Sequence, residues 1–183
     1  MFTRTNVRDI MYMVIRMKQL YIDFDGVILD TITYPYEYVE KELGLEINSE
    51  NMGKFYRELD WNDFLKKMPI INDSLDCIQK IIDSNRFEVN ILTHVTSLDE
   101  AYEKVQYIRQ FFKDIKIIPT PRKISKTKMV APEGAILIDD FCGNLKEWTE
   151  AGGVGVRFST KLSSKGYPVI DRLDQILNLG LAG

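Results

Sequence analysis

A chain of 183 residues, 45% hydrophobic and 28% charged, has the length and composition of one soluble domain able to bury a core. Its net charge of −3 offers no basic field to a nucleic acid polymer or an anionic membrane, and no apolar run reaches the roughly 18 residues of a spanning helix. The single histidine, His94, excludes zinc sites built on several histidines, and two distant cysteines, Cys77 and Cys142, fit reduced thiols in a cytoplasm.

Residues 1–18 hold four methionines and no clear periodicity, and form an N-terminal extension whose role the sequence leaves open. The apolar stretch 10–15 (IMYMVI) lacks a cleavage site and is not read as a signal peptide. The first strand is expected at 19–24 (QLYIDF). Residues 34–68 then read as helices only, a small helical insertion directly after that strand. Beyond it, strands are expected at 87–93, 115–119, 135–139, 154–158 and 167–170. Helices are expected at 74–84, 97–112, 144–152 and 171–179, with Ser97 and Asp171 as N-caps and Gly152 as a C-cap. The lysine- and arginine-rich stretch PRKISKTK (121–128) reads as a solvated loop. Several strands are apolar nearly throughout, as strands covered on both faces of a parallel sheet are. The alternation predicts a doubly wound, Rossmann-like α/β domain with a parallel sheet in three layers, composed of 19–33 and 69–183, and a small helical unit of 34–68 above it.

The chemistry concentrates at strand ends. YIDFDGVILD places Asp23 and Asp25 where the first strand emerges, and unpaired charge is costly to bury. AILIDDFCGN places Asp139 and Asp140 in the same position on a later strand. In a parallel sheet all four carboxylates gather at one edge, where hard oxygen ligands suit Mg²⁺ and the ion offsets their repulsion. Thr93 offers a hydroxyl to a phosphate oxygen from the end of 87–93. Lysines 123, 126 and 128 precede the last acidic strand and Lys104 follows Thr93, any of them able to neutralise a phosphoryl group.

DFDGV, then Thr93, a lysine and LIDD, in that order, resembles the haloacid dehalogenase (HAD) superfamily of phosphohydrolases. ILTHVTS, ILIDDFCGN and the small helical interval resemble its 5′(3′)-deoxyribonucleotidase branch and that branch's bacterial and phage relatives. The resemblance implies a Mg²⁺-dependent phosphomonoesterase with 34–68 as its cap. Asp23 would be the nucleophile and Asp25 the acid and base, its backbone carbonyl touching the metal. Asp23 and Asp140 would ligate Mg²⁺, with Asp139 ligating or orienting beside them. Thr93 and the backbone after Asp25, at Gly26, would hold phosphoryl oxygens. The phosphate-site lysine would be Lys126, with Lys104 as the alternative and Lys128 adjacent; His94 and Trp61 could touch substrate.

The implied substrate is a small phosphorylated molecule, a (deoxy)nucleoside monophosphate or another metabolite. Where the deoxyribonucleotidase branch places a base-clamping aromatic, this chain has Thr31; Tyr34, Tyr36, Tyr38, Phe55, Tyr56, Trp61 and Phe64 are nearby aromatics, with Phe55, Trp61 and Phe64 expected as helix packing. Receiver domains use similar residues, but their acidic pair comes first and their phosphoacceptor later, the reverse of the order here. A non-catalytic Mg²⁺- and phosphate-binding protein is disfavoured because every acid of the pattern is present.

Overall fold

The computed structural model describes residues 17–182, so the expected extension lies outside the described residues except at its end, where Lys18 already belongs to the first strand. Six parallel strands form the sheet: β1 (Lys18–Ile22), β2 (Phe87–Val95), β3 (Lys116–Pro121), β4 (Ile136–Asp139), β5 (Val154–Phe158) and β6 (Val169–Ile170), in the order β3-β2-β1-β4-β5-β6. The order reverses at β1, between β2 and β4. The crevice at the carboxyl ends of β1 and β4 is therefore the topological switch point, the usual ligand position in such sheets.

Both sheet faces are apolar, which is why the strands read as continuous runs. Leu20, Ile22, Ile91, Ile136 and Ile138 contribute to the larger core, whereas Tyr21, Leu92 and Leu137 turn to the other face. The larger core is covered by α4 (Ser74–Asp83), α5 (Leu98–Arg109) and a 3-10 helix at Leu173–Asn178. The smaller is covered by α6 (Cys142–Glu150), whose Trp148 is fully buried, meets the Tyr21 ring edge-on and donates its indole N–H to Ala135 O at 3.2 Å. Gly153 permits that fit, since a Cβ there would collide with the indole nitrogen.

Between β1 and α4 stand α1 (Tyr34–Glu37), which continues as a π-helical turn Tyr38–Glu42, α2 (Ser49–Glu58) and α3 (Trp61–Lys67). Pro35 starts the first, and the side chains of Asn48 and Asp60 cap the others by accepting the N–H of Asn51 and Asp63. Tyr34, Tyr38, Phe55 and Phe64 pack ring on ring with centroids 5.3–6.2 Å apart, giving these helices an aromatic core. The expected packing role of Phe55 and Phe64 is what the contacts show. Asn62 ties α3 to Glu103 of α5 at 2.7 Å.

Several expected element ends shift by one to three residues, the first strand among them, and three differences have a physical cause. β2 continues two residues past Thr93, because its partner on that side, β3, pairs as far as Val95↔Pro121 while the β1 ladder stops at Ile22↔Ile91. The expected last helix is a 3-10 helix capped by Arg172, because the Asp171 carboxylate bonds the Gln175 side chain rather than a backbone N–H. The basic stretch is not all solvated: Ser125 caps a 3-10 turn, Lys126–Lys128, that turns Lys126 inward. Ser97 caps α5 as expected, and Gly152 (φ +87°) follows the C-cap Ala151 of α6.

Trp148→Ala is expected to lower the unfolding free energy by about 3–5 kcal/mol, measured by urea denaturation.

Candidate active site

β1 ends at Ile22, and Asp23 is fastened to the neighbouring strand by donating its N–H to Ile138 O at 2.9 Å. The chain then wraps around one carbonyl: Phe24 O accepts from Val27, Ile28 and Leu29. Phe24 is fully buried against Tyr107, so the chain anchors itself between the two aspartates. The turn needs φ +68° at Gly26, and a Cβ there would stand 2.8 Å from Asp140 Oδ2. Glycine thus brings the first loop directly against the second acidic pair.

Two buried lysines divide the acids between them. Lys126, 2% exposed, contacts Asp23 Oδ1 at 2.8 Å and Asp139 Oδ2 at 2.7 Å. Asp23 Oδ1 also accepts the Phe24 N–H at 2.8 Å. Asp139 is held further by Phe141 N–H on Oδ1 and Asn144 Nδ2 on Oδ2. Lys104, with no exposed surface, contacts Asp25 Oδ2 at 2.7 Å and Glu100 Oε1 at 2.8 Å. Thr93 Oγ1 lies 3.3 Å from the same Asp25 oxygen. Glu100 in turn accepts from Thr96 N–H and Oγ1 at 2.7 and 2.6 Å. The Lys104 ammonium also faces the rings of Phe24 and Trp61, at 5.2 and 5.9 Å.

Burial raises the Asp23 carboxyl well above its ordinary range; Lys126 opposes this, and Asp139 and Asp25 add to it. Asp140 is pushed up to about 7, by burial and then by Asp139 and Asp25. Both lysines are raised, the attraction of their carboxylates outweighing burial, so both are ammonium ions at neutral pH. Asp23, Asp139 and Asp140 each present an oxygen within 4.8 Å of the others. Once all three are ionised, as a bound cation favours, three carboxylates against the Lys126 ammonium leave two negative charges on hard oxygen donors, a set that fits a divalent cation such as Mg²⁺.

A cleft of about 770 Å³ opens over Asp25. Its lining includes Thr31, Tyr36, Tyr56, Arg57 and Trp61 from the turn and helices after β1, and His94, Glu100 and Arg122 from later in the chain. Tyr56 and Trp61 lie stacked, 6.3 Å apart at 21°. Of the residues singled out in the sequence, Asp23, Lys126 and Asp139 form one contact set and Asp25, Lys104 and Thr93 another, and Asp140 and Gly26 adjoin them. Trp61 and His94 border the cleft, with His94 Nε2 bonded to Ile124 O at 3.0 Å. Lys128 is exposed and outside this network, since residues two apart on a 3-10 turn do not share a face. Sequence reasoning missed Glu100, Asn144, Arg57 and Arg122. The signal for Glu100 was present: S-x-x-E at residues 97–100, with Lys104 one turn on.

No protein-family model and no curated protein sequence matches the chain. Solved structures do. The putative HAD-hydrolase YfnB from Bacillus subtilis, bound to magnesium, aligns with TM-score 0.61 at 14% identity over 90% of this chain and 98% of that one. A HAD-superfamily hydrolase of subfamily IA, variant 1, from Geobacter sulfurreducens aligns with TM-score 0.57 at 15% identity, over 89% and 99%. The chain has the HAD fold. D,D-heptose 1,7-bisphosphate phosphatase from B. bronchiseptica, complexed with magnesium and phosphate, shares the HAD fold with TM-score 0.52 at 13% identity, over 88% of this chain and 97% of that one.

Between about pH 4 and about pH 7 the folded metal-free protein keeps a proton on Asp140 that the unfolded chain has released, so stability falls as pH rises through that window. Asp140→Asn is expected to be increasingly more stable than the wild type across that rise, measured by urea denaturation in a chelator.

Proposed function

We propose that this protein is a Mg²⁺-dependent phosphomonoesterase that works through an aspartyl-phosphate and acts on nucleoside monophosphates. The observation that carries the reading is the partition of the acids at the switch point. Asp23 shares Lys126 with Asp139, while Asp25 is held by Lys104 and Thr93 beneath the cleft. Two aspartates two residues apart thereby have different surroundings, as a nucleophile and an acid–base group require.

In this reading an Asp23 oxygen attacks phosphorus and the ester P–O bond breaks, with Asp25 delivering its proton to the leaving alkoxide. Asp25 then takes a proton from the water that attacks the aspartyl-phosphate, releasing inorganic phosphate and restoring Asp23. Lys126 offsets negative charge beside Asp23, and Lys104 with Thr93 fixes the direction of the Asp25 carboxylate. Asp23 and Asp140 would hold Mg²⁺; Asp139, already engaged by Lys126, Phe141 and Asn144, would orient Lys126. The ion supplies charge neutralisation that lets an anionic nucleophile approach a phosphate. Residues 34–68 would serve as the cap, bringing the Tyr56–Trp61 pair over the cleft as a platform on which a base can stack.

Purified protein is expected to release phosphate from p-nitrophenyl phosphate and from nucleoside monophosphates only with Mg²⁺, and Asp23→Asn to lower kcat by a factor on the order of 10⁴. Wild-type rates in Asp23→Asn, or undiminished turnover in a chelator, would overturn the reading. Lys126→Ala is expected to cost about 10²–10³ in kcat, and Lys104→Ala to distort the pH profile of kcat/KM as well, because only Lys104 contacts Asp25.

A further inference from the structure

Of the six arginines among the described residues, four have side-chain partners and two do not. Arg86 donates to Leu177 O, Arg109 to Phe112 O and Ile115 O, Arg157 contacts Cys142 Sγ, and Arg172 pairs with Asp73 at 2.8 Å. The two other arginines among the described residues, Arg57 and Arg122, have no hydrogen-bond or ion-pair partner for their guanidinium groups among those residues. Both line the same cleft. They come to it from different elements, Arg57 from α2 and Arg122 from the segment just after β3, where its own N–H is fixed on Val95 O at 2.9 Å, and both side chains are exposed.

The acids of the cleft do not answer them. Asp25 and Glu100 are engaged by Lys104, and Asp99, the third carboxylate of the lining, forms no ion pair with either arginine. Arg57 lies back along its own helix: a Cβ on Gly53, one turn earlier, would stand 3.3 Å from its Nη1. Arg122 is near enough to Tyr56 and His94 to act on both. Burial raises the Tyr56 hydroxyl to about 12 against its pull, and its charge joins burial in lowering His94. An arginine fork left unpaired in a concave site matches a planar or tetrahedral oxyanion. One phosphate group does not fill about 770 Å³, a volume suited to a larger small molecule.

We infer that Arg57 and Arg122 form a second oxyanion subsite, so that the preferred substrate is a phosphomonoester carrying a further phosphate, which the arginines hold while Asp25 faces the scissile ester. The inference rests on the phosphomonoesterase chemistry of that reading and, if it holds, moves the preferred substrate from a nucleoside monophosphate to a phosphomonoester with a second phosphate.

The test is calorimetric binding to the Asp23→Asn protein with Mg²⁺, using two matched pairs: a nucleoside 3′,5′-bisphosphate against its 5′-monophosphate, and a hexose bisphosphate against the hexose monophosphate. In at least one pair the bisphosphate is expected to bind about tenfold more tightly or better. The pair that shows it identifies the scaffold as nucleotide or sugar. Adding Arg57→Gln or Arg122→Gln is expected to bring that ratio to within about twofold of one. Both variants are checked for an unchanged circular dichroism spectrum, and Arg→Lys at each position is expected to restore part of the preference. Equal affinity within both pairs, or a preference that survives both glutamine substitutions, would overturn the inference. Those outcomes are separate from failure of the catalytic reading, which shows as undiminished turnover in Asp23→Asn while the binding ratio is judged on its own.

Discussion

The site depends on two ammonium groups that have almost no contact with water. Asp23 and Asp139 are buried at the point where the strand order reverses, and a carboxylate buried without a partner is among the costliest things a fold can contain. Lys126 and Lys104 make this arrangement tenable, each by bridging two acids. Each lysine arrives from a different element, one from a 3-10 turn before β4 and one from the second turn of α5. The pairing therefore also fixes how those elements sit against the sheet, and local chemistry and global architecture share the same contacts.

That arrangement separates two environments a few residues apart. On one side, Asp23, Asp139, Asp140 and Lys126 make a compact, mostly buried set with an excess of negative charge. On the other, Asp25 and Glu100, held by the buried Lys104 and Thr93, line an open cleft that also has aromatic and arginine side chains. Gly26 is the seam, its bare Cα allowing the loop from Asp25 to lie against Asp140. Phe24 is fully buried, its ring facing the Lys104 ammonium, and holds the loop in the core.

Much of this was legible in the sequence, for identifiable reasons. All six strands appear as apolar runs because both faces of the sheet are covered, and the two acidic pairs stand out because they interrupt such runs at their ends. The extension of β2 past Thr93 was not legible, since it follows from where β3 rather than β1 stops pairing. Nor was the burial of Lys126: in PRKISKTK nothing local distinguishes it from Lys123 or Lys128, and only the Ser125 cap and two waiting carboxylates draw it inward. Arg57 and Arg122 lie far apart in sequence, so their convergence on one cleft is a property of the fold alone.

The aromatic core of the helices after β1 has a consequence for how such a protein can change. Tyr34, Tyr38, Phe55 and Phe64 sustain one another, so the helices keep their form whichever side chains they turn toward the cleft. Tyr36 and Arg57 are mostly solvent-facing and carry little of that packing. Mutation there can explore new ligands at small cost in folding, while the sheet edge that holds the acids is left untouched. The molecule is in effect modular within a single chain: a conserved-by-physics floor beneath an evolvable ceiling.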